Sequence, residues 1–425
     1  MTVTVHPGKI SGSISSIPSK SHLHRLLICS ALADKQTIVK HGKTDAEDII
    51  ATIKCLEALG AKIEPQETGS LVTPINLKKL PNTCTLPCNE SGSTLRFMLP
   101  IVCALGIKGT FQMAGRLPER PMAPLDTELE RHGIKLTKPS QNTLCCKGRL
   151  VSGDYVLPGD VSSQYITGLL LALPLINAPF TLTVKEPIES EDYINLTLQV
   201  RESFGIKETG KIYKQSGEFI SPQTITAEGD WSNAAFWLCA GAMPFGNINL
   251  QEMNKNSTQG DKEICTILQQ MGANVSWSQN TVSVKEKKRK GITIDARPIP
   301  DLIPVLAAVA AVSEGVTTFT NAARLRLKES DRLKTTAETL QILGANIKET
   351  NDGLIVEGKQ ELTGGTVDAF GDHRIAMMAA IASSACKNPV IITNANAVNK
   401  SYPKFWADLV KLGKRVDINE QHMEE

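Results

Sequence analysis

Long apolar runs are missing from this chain. The longest, such as Leu302 to Val312, fall short of the roughly 20 residues that a membrane-spanning helix needs. Met1 to Ile10 lacks the charged-then-apolar plan of a secretory leader, so a cytoplasmic protein with reduced thiols is expected. The ten cysteines include no C-x-x-C pair, and His22, His24 and His373 add no ligand spacing, so neither a metal nor a disulfide framework is expected. An excess of one charge is also missing. The 46 Lys and Arg face 44 Asp and Glu, a formal net charge of +2, which speaks against nucleic acid as the main partner. The basic run Lys285 to Lys290 has no aromatic residues beside it for stacking and reads as a solvated hairpin. Nucleotide signatures fail as well: Gly42-Lys43-Thr44 lacks the upstream glycine of a P-loop, and no Gly-x-Gly-x-x-Gly follows a strand. There is no Gly-x-Ser-x-Gly elbow for a nucleophilic serine. No cofactor is expected.

What the chain has is repetition. Pro18 to Ala33 combines a small polar head (Ser19, Lys20, Ser21, Arg25) with a tail that is apolar on nearly all sides. Such a helix is buried, and its N-terminus emerges with free amides, a positive dipole end and two cations, which together favour an anion. The same design recurs where Glu90–Arg96, Ser162–Gln164, Asp230–Asn233, Pro300-Asp301 and Asp372–Arg374 lead into apolar runs. Markers at Ser21, Gly92, Ser163, Ser232, Asp301 and His373 fall 71, 71, 69, 69 and 72 residues apart. A second element keeps the same phase: an amphipathic helix, a glycine, then a strand, with glycines at 60, 133, 205, 272, 344 and 413. Six units of about 70 residues are stacked supersecondary units.

Each unit reads as buried helix, strand, amphipathic helix, strand. Three buried helices need a shell, and three units with helices inside and sheets outside provide one, giving two α/β domains of inverted layering. Linkers are expected near Ser16–Lys20 and Thr224–Gly229, which puts residues 19–226 in one domain and residues 1–18 with 227–425 in the other. The N-terminal strands are expected to complete the second domain.

Because alternate links return the chain to one edge, both kinds of helix start face the same way. That gathers Lys20, Ser21, Arg25, Glu90, Ser91, Arg96, Arg120, Ser162, Ser163, Gln164 and Ser190 from the first half. From the second half it gathers Asp301, Arg324, Arg326, Lys328, Glu329, Arg332, Asp372, His373, Arg374 and Lys400. So many cations in a nearly neutral chain point to a small polyanion, since Arg forks suit phosphate and carboxylate. A simple anion-binding protein would have no use for Asp301 and Glu329.

At these residues the chain resembles the 5-enolpyruvylshikimate-3-phosphate synthase family (3-phosphoshikimate 1-carboxyvinyltransferases). The motifs are Pro18–Ser21 with Arg25, Glu90–Arg96, Pro118–Pro121, Ser162–Gln164, Gln259–Asp261, Pro300-Asp301, Leu327–Arg332, Asp372–Arg374 and Lys400. The resemblance implies an α/β fold of two domains, each of three βαββαβ repeats with buried helices and outer sheets (an inside-out α/β barrel), and an active site in the cleft between them. It implies transfer of an enolpyruvyl group from phosphoenolpyruvate to the 5-hydroxyl of shikimate 3-phosphate, without metal, by a monomer that binds neither nucleic acid nor membrane. By motif position, Lys20, Ser21, Arg25, Ser162, Ser163, Gln164, Ser190, Tyr193, Asp301 and Lys328 would hold shikimate 3-phosphate. Lys20, Gly92, Arg120, Gln164, Arg332, Arg374 and Lys400 would hold phosphoenolpyruvate. Asp301 and Glu329 would move protons, with Lys20, Lys328 and Lys400 assisting. Two positions depart from the family pattern: Glu90 replaces an Asn, and Arg324 stands where an Asn is common. A sister family that uses UDP-N-acetylglucosamine carries a Cys in the loop matching Gly115–Arg120, and this loop has none.

Overall fold

A helix that is apolar all round must be enclosed by other elements. The computed structural model, which describes residues 1–176, 178–207, 212–214 and 217–420, shows how this chain does it. Helices alternate along the chain between buried and surface-lying. They are α1 (Lys20–Leu32), α2 (Glu47–Ala58), α3 (Gly92–Leu105), α4 (Leu125–Arg131), α5 (Ser163–Ala172), α6 (Glu191–Ser203), α7 (Trp231–Ala242), α8 (Ile264–Met271), α9 (Ile303–Ala310), α10 (Arg332–Ile342), α11 (His373–Ala382) and α12 (Phe405–Lys411). The odd-numbered helices are buried along nearly their whole length, whereas the even-numbered ones bury one face. Among the described residues no helix is long and apolar enough to cross a membrane.

Every even-numbered helix is followed by its glycine in the left-handed region. Their φ values run from 85° at Gly205 to 104° at Gly272, where a Cβ would be strained. The glycine turns the chain into an outer strand and a hairpin, so a unit runs βαβαββ. This corrects the expected βαββαβ order: one strand separates the buried helix from the surface helix, and three precede the next buried helix. The second unit is typical. Thr83–Asn89 pairs in parallel with Lys108–Met113, with α3 as the crossover that a parallel pair requires. Lys108–Met113 then pairs antiparallel with Thr143–Gly148, which pairs with Ile134–Ser140.

Five sheets have four strands in this order, and the remaining one has three among the described residues. Several are completed from far along the chain. Thr224–Thr226 lies parallel to Thr37–Lys40, and Ser11–Ser15 lies parallel to Asn247–Gln251. Thr2–Val5 sits between Val390–Thr393 and Val416–Asn419, in the place a hairpin strand occupies elsewhere.

Contacts divide the chain into two units, Pro18–Glu228 and the discontinuous pair Met1–Ile17 with Gly229–Glu425. Each has its own apolar core. Lys285–Lys290 leaves the hairpin strand Thr281–Lys285 with its four lysines exposed, as expected, but Arg289 departs from that reading. Arg289 is buried and donates to the Lys287 and Val312 carbonyls, and the stretch leads to a bridge between Lys290 and Glu314.

In the continuous unit α5 comes close to α3 at Gly168, where a Cβ would lie 2.2 Å from the Arg96 carbonyl oxygen of α3. A methyl there has to push two buried backbones apart. Gly168→Ala is therefore expected to lower stability by about 1–3 kcal/mol, read as a shifted urea midpoint at unchanged slope. An unchanged midpoint would mean the two helices can separate without cost.

Candidate active site

In the continuous unit, the starts of the three buried helices carry the polar residues. Ser19, Ser91 and Ser162 cap α1, α3 and α5 by accepting from the amides of His22, Thr94 and Gln164. A buried chain of hydroxyls ties α1 through α2 to the start of α3: His24 Nδ1 meets Thr52 Oγ1 at 2.7 Å, Thr52 meets Thr94 at 2.7 Å, and Thr94 donates to Ser91 Oγ at 2.7 Å. Burial holds His24 down to about 3, so it is a neutral member of this chain. Lys20 reaches from the head of α1 to Asp48 in the first turn of α2, with Nζ 2.6 Å from Oδ2.

Close packing of α3 on α5 lets Arg96 Nη1 donate to Gln164 Oε1 at 2.6 Å, while Gln164 Nε2 donates to Ser93 Oγ at 2.9 Å. Arg96 also lies over the Tyr165 ring and donates to the Pro121 carbonyl. That contact holds the segment bearing Arg120, whose guanidinium lies against Gly92: a Cβ there would be 2.7 Å from Arg120 Nη1.

Arg25 is used differently from the expectation. Its Nε donates to Thr197, Nη1 to the Ser21 carbonyl, and Nη2 to Thr167 and the Tyr193 carbonyl. Four of its five N–H groups thus hold α1, α5 and α6 together, which leaves one Nη1 hydrogen for a ligand. Ser163 and Ser190 are buried nearby in sequence terms, Ser163 in the first turn of α5 and Ser190 ahead of α6 with a left-handed φ of 53°.

In the discontinuous unit the arrangement centres on Asp301. Asp230 and Asp372 cap α7 and α11, but α9 is entered through a 3-10 turn, Pro300–Leu302, without a side-chain cap. The Asp301 carboxylate instead receives Arg332 Nη1 at 2.8 Å, Arg374 Nη2 at 3.0 Å and Lys328 Nζ at 3.5 Å. Burial alone would push Asp301 up, but Arg374, Lys328 and Arg332 outweigh it and hold it ionised, well below the usual carboxylate range. Its side chain is still 17% exposed, so a ligand can reach it, whereas the Arg332 side chain is 1% exposed. Arg332 also donates to Asp372 through Nε at 2.7 Å and to Glu329 through Nη2 at 2.8 Å. Burial disfavours its charge, and Asp372, Glu329 and Asp301 restore it, raising its pKa above the ordinary value. Burial also pulls Lys328 below the usual lysine range, although Asp301 opposes this. Lys400 is buried at the end of the 3-10 turn Ala395–Lys400, which packs on α11.

An anion approaching Arg332 and Arg374 therefore has to compete with Asp301 for them. Two carboxylates hold Lys20 and Arg332 in place: Asp48, and Asp372, which the sequence gathered among the helix starts without a role. Asp48 was missed; it lies in the first turn of α2, the signal by which it could have been found. Arg326 is not gathered with the others: it is spent on Asp331, Glu349 and the Thr350 carbonyl. Arg324 donates to the Arg297 carbonyl, and Glu90 packs against the Cα of Gly115.

The chain matches the family model for EPSP synthase (3-phosphoshikimate 1-carboxyvinyltransferase) over residues 5–409. It is 39% identical to a 3-phosphoshikimate 1-carboxyvinyltransferase of Clostridium novyi, with 98% of each chain covered. It is 40% identical to one of Clostridium kluyveri at the same coverage. Among solved structures it is similar to an EPSP synthase of Acinetobacter baumannii, with a TM-score of 0.79, 26% identity, and coverage of 98% of this chain and 100% of that one. With likeness in sequence over nearly its whole length and likeness in fold to match, this chain belongs to the EPSP synthase (3-phosphoshikimate 1-carboxyvinyltransferase) family.

Proposed function

We propose that this chain transfers the enolpyruvyl group of phosphoenolpyruvate to the 5-hydroxyl of shikimate 3-phosphate, releasing phosphate and forming 5-enolpyruvylshikimate 3-phosphate. We further read it as a cytoplasmic monomer acting on small molecules in aromatic amino acid biosynthesis. The observation that carries the reading is Asp301, a reachable carboxylate kept ionised at the mouth of a buried helix by three cations. A structural aspartate there would cap the helix, and this one does not.

The reaction is an addition followed by an elimination. The methylene carbon of phosphoenolpyruvate gains a proton, the hydroxyl oxygen bonds to the neighbouring carbon and loses its own proton, and a phosphate ketal results. Phosphate then leaves as the methyl group gives its proton back. Acid and base must act on opposite sides of the reacting bond.

Asp301, held ionised, suits the hydroxyl as acceptor. As it stands it is a weak base, because Arg332 and Arg374 stabilise its anion. A phosphoenolpyruvate carboxylate that takes a share of those guanidinium groups lowers that stabilisation and strengthens Asp301 as a base when the reactant is in place. Glu329 with Lys328 and Lys400 serve the methylene carbon, and Lys328 gives up a proton more readily than an exposed lysine. Lys20, Gly92, Arg120, Gln164, Arg332, Arg374 and Lys400 take phosphoenolpyruvate. Ser21, Arg25, Ser162, Ser163, Gln164, Ser190, Tyr193, Asp301, Lys20 and Lys328 take shikimate 3-phosphate. Ordered cations around both anions stabilise the charge that develops in the transition state.

Phosphate release from phosphoenolpyruvate in the presence of shikimate 3-phosphate tests the activity directly, with UDP-N-acetylglucosamine as the contrasting acceptor. Release with the second acceptor and none with the first would overturn the reading.

Asp301→Asn is expected to cut kcat by at least about 100-fold while leaving anion binding at Arg332 and Arg374 unchanged or tighter, because a competitor has been removed. Near-normal turnover of the folded variant would show Asp301 to be a counter-ion only. Gly92→Ala places a methyl against Arg120. It is expected to raise KM for phosphoenolpyruvate several-fold, and the inhibition constant for glyphosate, the longer anion that the family resemblance puts in the same pocket, by a larger factor. Equal factors would mean that the methyl acts only by displacing Arg120.

A further inference from the structure

Gln259-Gly260-Asp261 has no part in the assignments above, yet the structure builds it in firmly. Gln259 accepts from the Trp231 amide and donates to the Gly229 carbonyl, fixing its loop to the start of α7. Asp261 follows in the 3-10 turn Gly260–Glu263 and is 2% exposed. Its Oδ2 accepts a short hydrogen bond from Ser232 in the first turn of α7. Its Oδ1 is buried without a hydrogen-bond partner, an arrangement that is costly for an ionised carboxylate. The turn bearing Asp261 and the turn bearing Asp301 both pack against α7.

The charged groups that bear on Asp261 are Asp301 from the turn ahead of α9, Arg374 from α11 and Asp230, the cap of α7. Burial, then Asp301, pushes Asp261 up to about 7, with Asp230 adding to the rise while Arg374 and Ser232 oppose it. This side chain therefore changes charge near neutrality beside a cation assigned to substrate.

We propose that Asp261 is a positioning residue that sets how much of the Arg374 charge is available to the phosphoenolpyruvate anion. As a neutral acid it leaves Arg374 to Asp301 and the substrate. As a carboxylate, its proton given to solvent, it adds a second negative charge that repels the substrate anion and draws on the same guanidinium. The inference rests on the activity proposed above.

The test is KM for phosphoenolpyruvate and kcat against pH for the native chain, Asp261→Asn and Ser232→Ala. Ionisation of the substrate phosphate is common to all three and cancels in the comparison. For the native chain, KM is expected to rise roughly three- to tenfold more than for the Asn variant as pH passes through neutrality, with kcat moving less. Ser232→Ala removes a donor that favours the carboxylate, so its rise is expected at higher pH. Infrared difference spectra give a readout independent of turnover: a protonated carboxyl band that titrates near neutrality and is missing from Asp261→Asn. If the chain shows no turnover at all, the activity reading fails, and this band still decides whether Asp261 is the titrating acid. Superimposable KM profiles for the native chain and the folded Asn variant would overturn the proposal, as would the absence of the band. Asp261 would then only hold its turn to α7. Should the Asn variant not fold, the displacement expected of Ser232→Ala carries the decision, and an unshifted profile would overturn the proposal.

Discussion

The buried guanidinium of Arg332 is the group on which the discontinuous unit's site depends. It is enclosed, and it stays charged because three carboxylates from two neighbouring repeats converge on it. Without them its charge would be stranded in a poorly solvated place, which costs far more than a surface ion pair is worth. Asp372 lies at the start of α11, Glu329 ahead of α10, and Asp301 ahead of α9. One side chain thus ties three helix starts together. The residues that would handle substrate are positioned by the same contacts that hold the repeats in register.

The continuous unit solves the same problem with less charge. Its three buried helix starts are joined through hydroxyls and the Arg96–Gln164 pair, and Lys20 adds an ion pair with Asp48. Gly168 is what permits this, because α3 and α5 meet at backbone distance just beyond those polar groups. Where one unit holds its helix starts by charge, the other does so by packing.

The period, the buried helices and the six turn glycines were legible because each depends on residues close together in sequence. The polar heads of the buried helices and the strand after each glycine were legible for the same reason. The hairpin partner that follows each of those strands was not, as at Gly69–Thr73 and Thr143–Gly148. Partner choice escaped too: nothing local announces that Arg25 spends four donors on the fold, or that Arg326 is tied to Glu349. Motif likeness pointed to the catalytic neighbourhood, Asp372 included, but not to Asp48, which holds Lys20 in place. Asp301 shows the limit most clearly. Motif position marked it for proton transfer, and only the three-dimensional arrangement shows its carboxylate turned to Arg332 and Arg374.

The strand Thr2–Val5 is made long before it is used. It pairs with Val390–Thr393 and Val416–Asn419, which follow it by hundreds of residues. The continuous unit, by contrast, has every strand of its sheets in hand once residue 228 has been made. Folding during translation is therefore ordered by topology. One unit can close early, while an exposed β-strand at the other end of the chain waits through the making of some 400 residues for its neighbours. Closing so long a loop slows that final step, and until it occurs the waiting strand offers an unpaired edge to other chains.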